Sequence, residues 1–136
     1  EKILEAVGSD SRIGNKYFKY GFGFGGPCFP RDNKAMGIFS NETGVEMIFS
    51  KITDEANNRH LDYQVKKHQD LDTTHIVVEP VSYKDGSTII TESQRLAYAV
   101  KLAKISKYKV TVKDNKEVIR QVKNKYGDLF NYEVTK

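Results

Sequence analysis

The run Gly21-Phe22-Gly23-Phe24-Gly25-Gly26-Pro27-Cys28-Phe29-Pro30 constrains this chain more than any other feature. Glycines at alternate positions give up the most backbone freedom on ordering, and prolines close the run, so neither helix nor ordinary strand persists through it. A helix is expected just behind it. Pro30 suits a first helical turn, and Ala35, Met36, Ile38 and Phe39 give residues 31–39 an apolar side. Cys28 then stands just ahead of a helix amino terminus.

The glycines let backbone amides come close to a polar ligand while Phe22 and Phe24 supply apolar walls. They superficially resemble a dinucleotide-binding turn, but no apolar strand precedes them, and no Gly-Lys-Ser or Gly-Lys-Thr follows. A tight surface turn is the alternative reading. The thiol has a basic neighbourhood in sequence, with Arg12, Lys19, Arg31 and Lys34 near it, and Asp32 four residues on could handle protons. A buried, inert cysteine is the commoner fate of a lone thiol. Spacing leaves that choice open.

Elsewhere the hydrophobic periodicity predicts a helix end over Glu1 to Val7, with Ile3, Leu4 and Val7 on one face, and a break at Asn41 to Gly44. A long helix from Val45 to His68 follows, with Val45, Ile48, Phe49, Ile52, Ala56 and Tyr63 at helical spacing. Such a helix exceeds what a small domain needs, which suggests a domain junction or a partner interface. The polar stretch Asp70 to Thr74 reads as a linker. Beyond it come a short strand over 75–78, a helix over 92–105 turning Leu96, Ala97, Val100 and Ala103 inward, and a strand over 108–112. A helix over 115–126 and a strand over 131–134 complete the chain. Strands alternating with helices indicate a parallel sheet, so the expected fold class is α/β, with residues 1–70 helical and residues 71–136 a partial Rossmann-like domain.

With 136 residues, 38% hydrophobic and 29% charged, the chain is expected to be globular and soluble. No apolar stretch is long enough for a membrane span, and no signal pattern opens the sequence, so a cytoplasmic setting is the default expectation. The net charge of +4 sits in the second half, where lysines spaced like exposed helix faces suggest a solvated surface and no nucleic-acid partner. One cysteine precludes an internal disulfide. His60, His68 and His75 lack metal-ligand spacing and read as solvated or capping residues, so no metal is expected.

Three motifs in order carry a family likeness: Asp10-Ser11-Arg12-Ile13-Gly14-Asn15-Lys16, the loop with Cys28-Phe29-Pro30-Arg31-Asp32, and Ser82-Tyr83-Lys84-Asp85-Gly86-Ser87 with Glu92-Ser93-Gln94. Together they resemble the UDP-glucose 6-dehydrogenase family over roughly residues 3–114. The resemblance implies oxidation of a UDP-sugar's C6 alcohol to the uronic acid with NAD. Cys28 would be the nucleophile, forming a thiohemiacetal and then a thioester, and Asp32 would assist the water and proton steps. Lys19, Tyr20, Gly21, Phe22, Gly23, Phe24 and Gly25 would wrap the substrate. Arg12 would reach into a neighbouring subunit's site, Tyr83 and Lys84 would contact the UDP portion, and Arg31 would lie where substrate and cofactor sites meet. The long helix would build a homodimer interface.

The sequence departs from the family in places. It has no apolar strand leading into a Gly-x-Gly-x-x-Gly turn, Pro80 stands where a glycine is usual, and Thr91 stands where an arginine near the cofactor is often found. The family's amino-terminal NAD-binding domain is not in this sequence, so the expectation is an inactive fragment by itself, with NAD bound mainly elsewhere. A non-enzymatic dimerisation or nucleotide-sugar-binding module of the same descent is the alternative.

Overall fold

The computed structural model describes residues 1–16 and 20–135. Three helices come first: α1 (Lys2–Gly8), α2 (Phe29–Thr43) and α3 (Ile48–Gln69). A β-α-β-α-β unit follows, made of β1 (His75–Val78), α4 (Gln94–Ala103), β2 (Lys109–Asp114), α5 (Lys116–Tyr126), a 3₁₀ turn over Gly127–Leu129, and β3 (Asn131–Val134). The fold is α/β.

All three strands run parallel in the order β1-β2-β3, with Ile76 opposite Val110 and Val112 opposite Tyr132. Parallel strands need covered faces. Val110 and Val112 sit between Leu96, Ala99 and Leu102 of α4 and Val118, Ile119 and Val122 of α5 in one cluster, closed by Val81 and Phe130. Both helices are capped by side chains, since Ser93 accepts from the Leu96 amide and Asn115 from the Val118 amide.

Three expectations need correction. There is no break at Asn41: α2 continues through Thr43 and stops at Gly44, whose φ of 72° is the left-handed cap that glycine adopts without penalty. Residues 45–47 are outside the long helix, so α3 begins at Ile48 and Val45 is not on its face. In α4 the residues turned inward are Leu96, Ala99 and Leu102, while Ala97, Val100 and Ala103 are only half-buried. That helix has a second neighbour. Asp62 of α3 pairs with Lys101 at 2.7 Å, and Tyr98 bonds His68, so apolar residues lie on two sides and shift the phase of the pattern.

Candidate functional site

No regular structure runs from Tyr20 to Cys28, and α3 holds this loop by its backbone. His60 Nε2 donates to the Gly21 carbonyl at 2.6 Å, Gln64 Nε2 reaches the same oxygen at 3.3 Å, and Asn57 Nδ2 donates to the Phe24 carbonyl at 2.9 Å. The three donors stand at i, i+3 and i+7, one face of a helix. A Cβ at Gly23 would strike the Asn57 side chain, so only glycine lets the loop lie this close.

The loop's other side rests on the sheet unit. The Gly26 amide donates to the Glu92 carbonyl at 3.3 Å, a Cβ on Gly25 would collide with that same carbonyl, and one on Gly26 would come within 2.7 Å of the Tyr83 ring. Phe22 meets Tyr98 edge-on, with centroids 5.4 Å apart.

Between loop and sheet lies a cleft of about 490 Å³. Tyr20, Gly21, Phe22, Gly23 and Gly25 form one wall, and Glu79, Tyr83, Gln94 and Arg95 form the other. The second wall lies past the carboxyl end of β1 and in the first turn of α4, the crevice where open parallel sheets take ligands. Asp114, buried at the end of β2, fixes the backbone leading to Tyr83. One of its carboxylate oxygens accepts from the Val81 amide at 2.9 Å and the Ser82 amide at 2.8 Å. Arg95 bonds Asp85 at 2.6 Å, and Gln94 Oε1 is buried without a hydrogen-bond partner.

The structure thus brings Tyr20, Gly21, Phe22, Gly23, Gly25 and Tyr83 to one cleft. Phe24, Cys28, Arg31, Asp32, Lys84 and Arg12 do not line it, and Lys19 falls outside the described residues. Phe24 instead packs edge-on against Phe29, centroids 4.9 Å apart, at the start of α2. Lys84 is exposed in a turn where its carbonyl accepts from the Ser87 amide at 3.0 Å. Arg12 is engaged by its own neighbour, Asp10, at 2.6 Å.

Cys28 is exposed at the N-cap of α2. Its carbonyl accepts the Asp32 amide at 2.9 Å, and Asp32 pairs with Arg31 at 2.8 Å. The Arg31 guanidinium is held above its ordinary pKa chiefly by Asp32 and then by the Cys28 sulfur, so thiol, carboxylate and cation form one surface cluster.

The expectation of solvated or capping histidines holds for exposed His75 but not for half-buried His60 and His68. His60 grips the loop, and His75 Nε2 bonds the Thr111 hydroxyl at 2.9 Å. His68 Nδ1 lies 2.7 Å from the Tyr98 hydroxyl, its Nε2 is buried without a partner, and the Tyr98 and Tyr108 rings flank it. Burial first, and the nearby Lys107 cation second, push its pKa below the ordinary imidazole value. Sequence reasoning also missed Glu79, Arg95 and the Asn57-His60-Gln64 stripe. A search for polar as well as apolar residues at helical spacing would have found the stripe.

Among the described residues, no three His, Cys, Asp or Glu side chains gather as metal ligands, and no helix is long and apolar enough to cross a membrane.

The UDP-glucose/GDP-mannose dehydrogenase family, central domain, matches residues 1–59. UDP-glucose 6-dehydrogenase AglM of Haloferax volcanii is 31% identical over 99 residues, which are 70% of this chain and 23% of AglM. TuaD of Bacillus subtilis, another UDP-glucose 6-dehydrogenase, is 38% identical over 66 residues, 48% of this chain and 14% of its own. A UDP-glucose dehydrogenase structure from Pyrobaculum islandicum superposes with a TM-score of 0.81 at 32% identity, covering 96% of this chain and 31% of that one. A GDP-mannose dehydrogenase structure from Pseudomonas aeruginosa shares the fold, with a TM-score of 0.74 at 18% identity, covering 99% and 33%.

The fold that holds this loop between a long helix and a parallel sheet is therefore one this chain shares with a UDP-glucose dehydrogenase and a GDP-mannose dehydrogenase. The chain belongs to the UDP-glucose/GDP-mannose dehydrogenase family, and it spans about a quarter of the length of the curated relatives it matches.

Proposed function

We propose that the cleft between the glycine loop and Tyr83 receives a UDP-sugar, and that Cys28 is the nucleophile of an NAD-dependent oxidation of its C6 alcohol to the uronic acid. The observation that carries this reading is the cleft itself, which joins residues some sixty positions apart. A nucleoside diphosphate sugar asks for a planar apolar surface, a cation and closely approaching backbone. Tyr83 and Phe22, Arg95 with Lys84 nearby, and the loop glycines supply them in that order. Lys19 and Tyr20 extend the loop wall, and Arg12 is assigned to the site of a second copy.

The chemistry assigned to this chain is that of the sulfur. The Cys28 thiolate adds to the C6 carbon at the aldehyde level, the carbon–sulfur bond forms and the carbonyl oxygen takes a proton, giving a thiohemiacetal. At the acyl level water adds, Asp32 takes its proton, and the carbon–sulfur bond breaks to return the thiol and the carboxylate. The described residues do not fit NAD. The turn after β1 passes through Glu79 and Pro80 with no glycine before Gly86, and the one candidate contact, Arg31, does not line the cleft. No hydride step is derived from this chain. Cofactor binding is assigned to other parts of the full-length relatives' architecture, so the isolated chain is expected not to turn over.

The partner is a second copy of the chain. A groove of about 720 Å³ between α2 and α3 includes Ile38, Met47, Ile48 and Ile52, all exposed, beside Phe49 at 81% exposure. Contiguous apolar surface of this kind marks an association face. On this reading residues 1–70 form the associating unit and residues 71–136 the nucleotide-binding one.

A UDP-sugar whose C6 is a carbon-13-labelled aldehyde tests the nucleophile. The C6 resonance is expected to move to a hemithioacetal position on mixing with the chain and to stay unmoved with Cys28→Ser. Cys28 standing off the cleft favours the second reading, a binding or dimerisation module without catalysis. An unmoved resonance with a bound ligand would establish it.

A further inference from the structure

Resting on the reading of the cleft as the UDP-sugar site, we infer that His60 is a positioning residue for it, fixing the shape of the glycine loop from the middle of α3. A carbonyl only accepts, so the 2.6 Å approach of Nε2 to the Gly21 oxygen requires the hydrogen to be on Nε2. Both the neutral Nε2 tautomer and the imidazolium supply it. Gln64 Nε2 converges on the same oxygen at 3.3 Å, and the 3.3 Å between the two nitrogens is the meeting of two donors on one acceptor. Three residues further on, Asn57 takes the Phe24 carbonyl at 2.9 Å.

These contacts bracket Phe22 and Gly23, which are cleft wall. Gly21 has φ of 150° and Gly26 has φ of 91°, so the loop contains backbone that resists no rotation by itself. Its shape comes from outside. On the α3 side three side chains donate to the loop, and His60 makes the shortest of the three bonds. Without it the Gly21 carbonyl keeps only the longer Gln64 bond, and the wall carrying Tyr20 and Phe22 is released on one side. His60 touches no reacting atom in this account; it acts through the loop.

The test compares the full chain with His60→Ala and His60→Gln. Amide hydrogen exchange is read by mass spectrometry over residues 20–26 and over β1–β3, and UDP-glucose affinity is read by calorimetry. His60→Ala is expected to speed exchange in residues 20–26 by about tenfold, leave the strands unchanged, and weaken UDP-glucose by about tenfold, the loss of roughly one hydrogen bond. His60→Gln keeps a donor and is expected to recover most of both effects. Unchanged loop exchange in His60→Ala overturns the inference, as does equal acceleration of the strands, which marks a merely structural role. If wild type fails to bind UDP-glucose while His60→Ala still loosens residues 20–26 selectively and His60→Gln restores them, the ligand assignment falls and the positioning role stands.

Discussion

The two halves of the molecule hide their apolar residues very differently. Among the described residues, every buried apolar side chain but Pro30 and Leu61 lies between Ile76 and Phe130, in the cluster around the parallel sheet. The helical half keeps Met36, Ile38, Phe39, Ile48, Phe49 and Ile52 exposed. Burial of apolar area is the main favourable term in folding, so the sheet unit carries its own stability and the helices lean on it. The lean is visible: α3 reaches the sheet unit through Val65, the Asp62–Lys101 pair and the His68–Tyr98 bond. The loop bridges both halves.

The comparison is sharpest at a core position. Leu102, fully buried on α4, should cost about 3 kcal/mol on truncation to alanine, measured by urea unfolding. Phe49→Ser should change the unfolding free energy of the separated chain by less than about 0.5 kcal/mol while abolishing self-association in sedimentation. Equal destabilisation by the two changes would break the contrast.

Asp114→Ala is expected to cost about 2 kcal/mol, because it leaves the Val81 and Ser82 amides without their acceptor, and to weaken ligand binding through Tyr83. Gly25→Ala should leave unfolding in urea nearly unchanged. Its new methyl would lift the loop off the Glu92 carbonyl and weaken UDP-sugar binding by tenfold or more, read by calorimetry.

The smallest effect is a pH dependence where the halves meet. The folded-state pKa of His68 lies below its ordinary 6.5, so above 6.5 the imidazole is neutral in both states and its contribution is fully present. As pH falls through 6.5 the unfolded chain takes the proton first, and stability drops until the folded form protonates too. His68→Gln should flatten that part of the stability profile, measured by thermal unfolding across pH.

Much of the sheet unit was legible because its signals are local. β1 and β3 fall at 75–78 and 131–134, where short strands were expected, and α5 follows Asn115 as a capped amphipathic helix should. The phase of α4 was not legible, since Tyr98 serves α3 and the loop while Leu102 serves the core. The loop and its glycines were readable as an irregular segment, and the family resemblance pointed to the motif around Tyr83, which lines the same cleft. What joins them depends on contacts more than thirty residues apart, through Asn57, His60 and Gln64, and helical spacing reveals that stripe without saying which segment it holds.

The most direct test of the account is a calorimetric titration of the folded chain with UDP-glucose, against UDP-N-acetylglucosamine and GDP-mannose, at moderate salt. The account predicts saturable heat with UDP-glucose that Gly25→Ala abolishes. No heat from a chain shown to be folded would contradict the claim that the loop and Tyr83 form a working cleft.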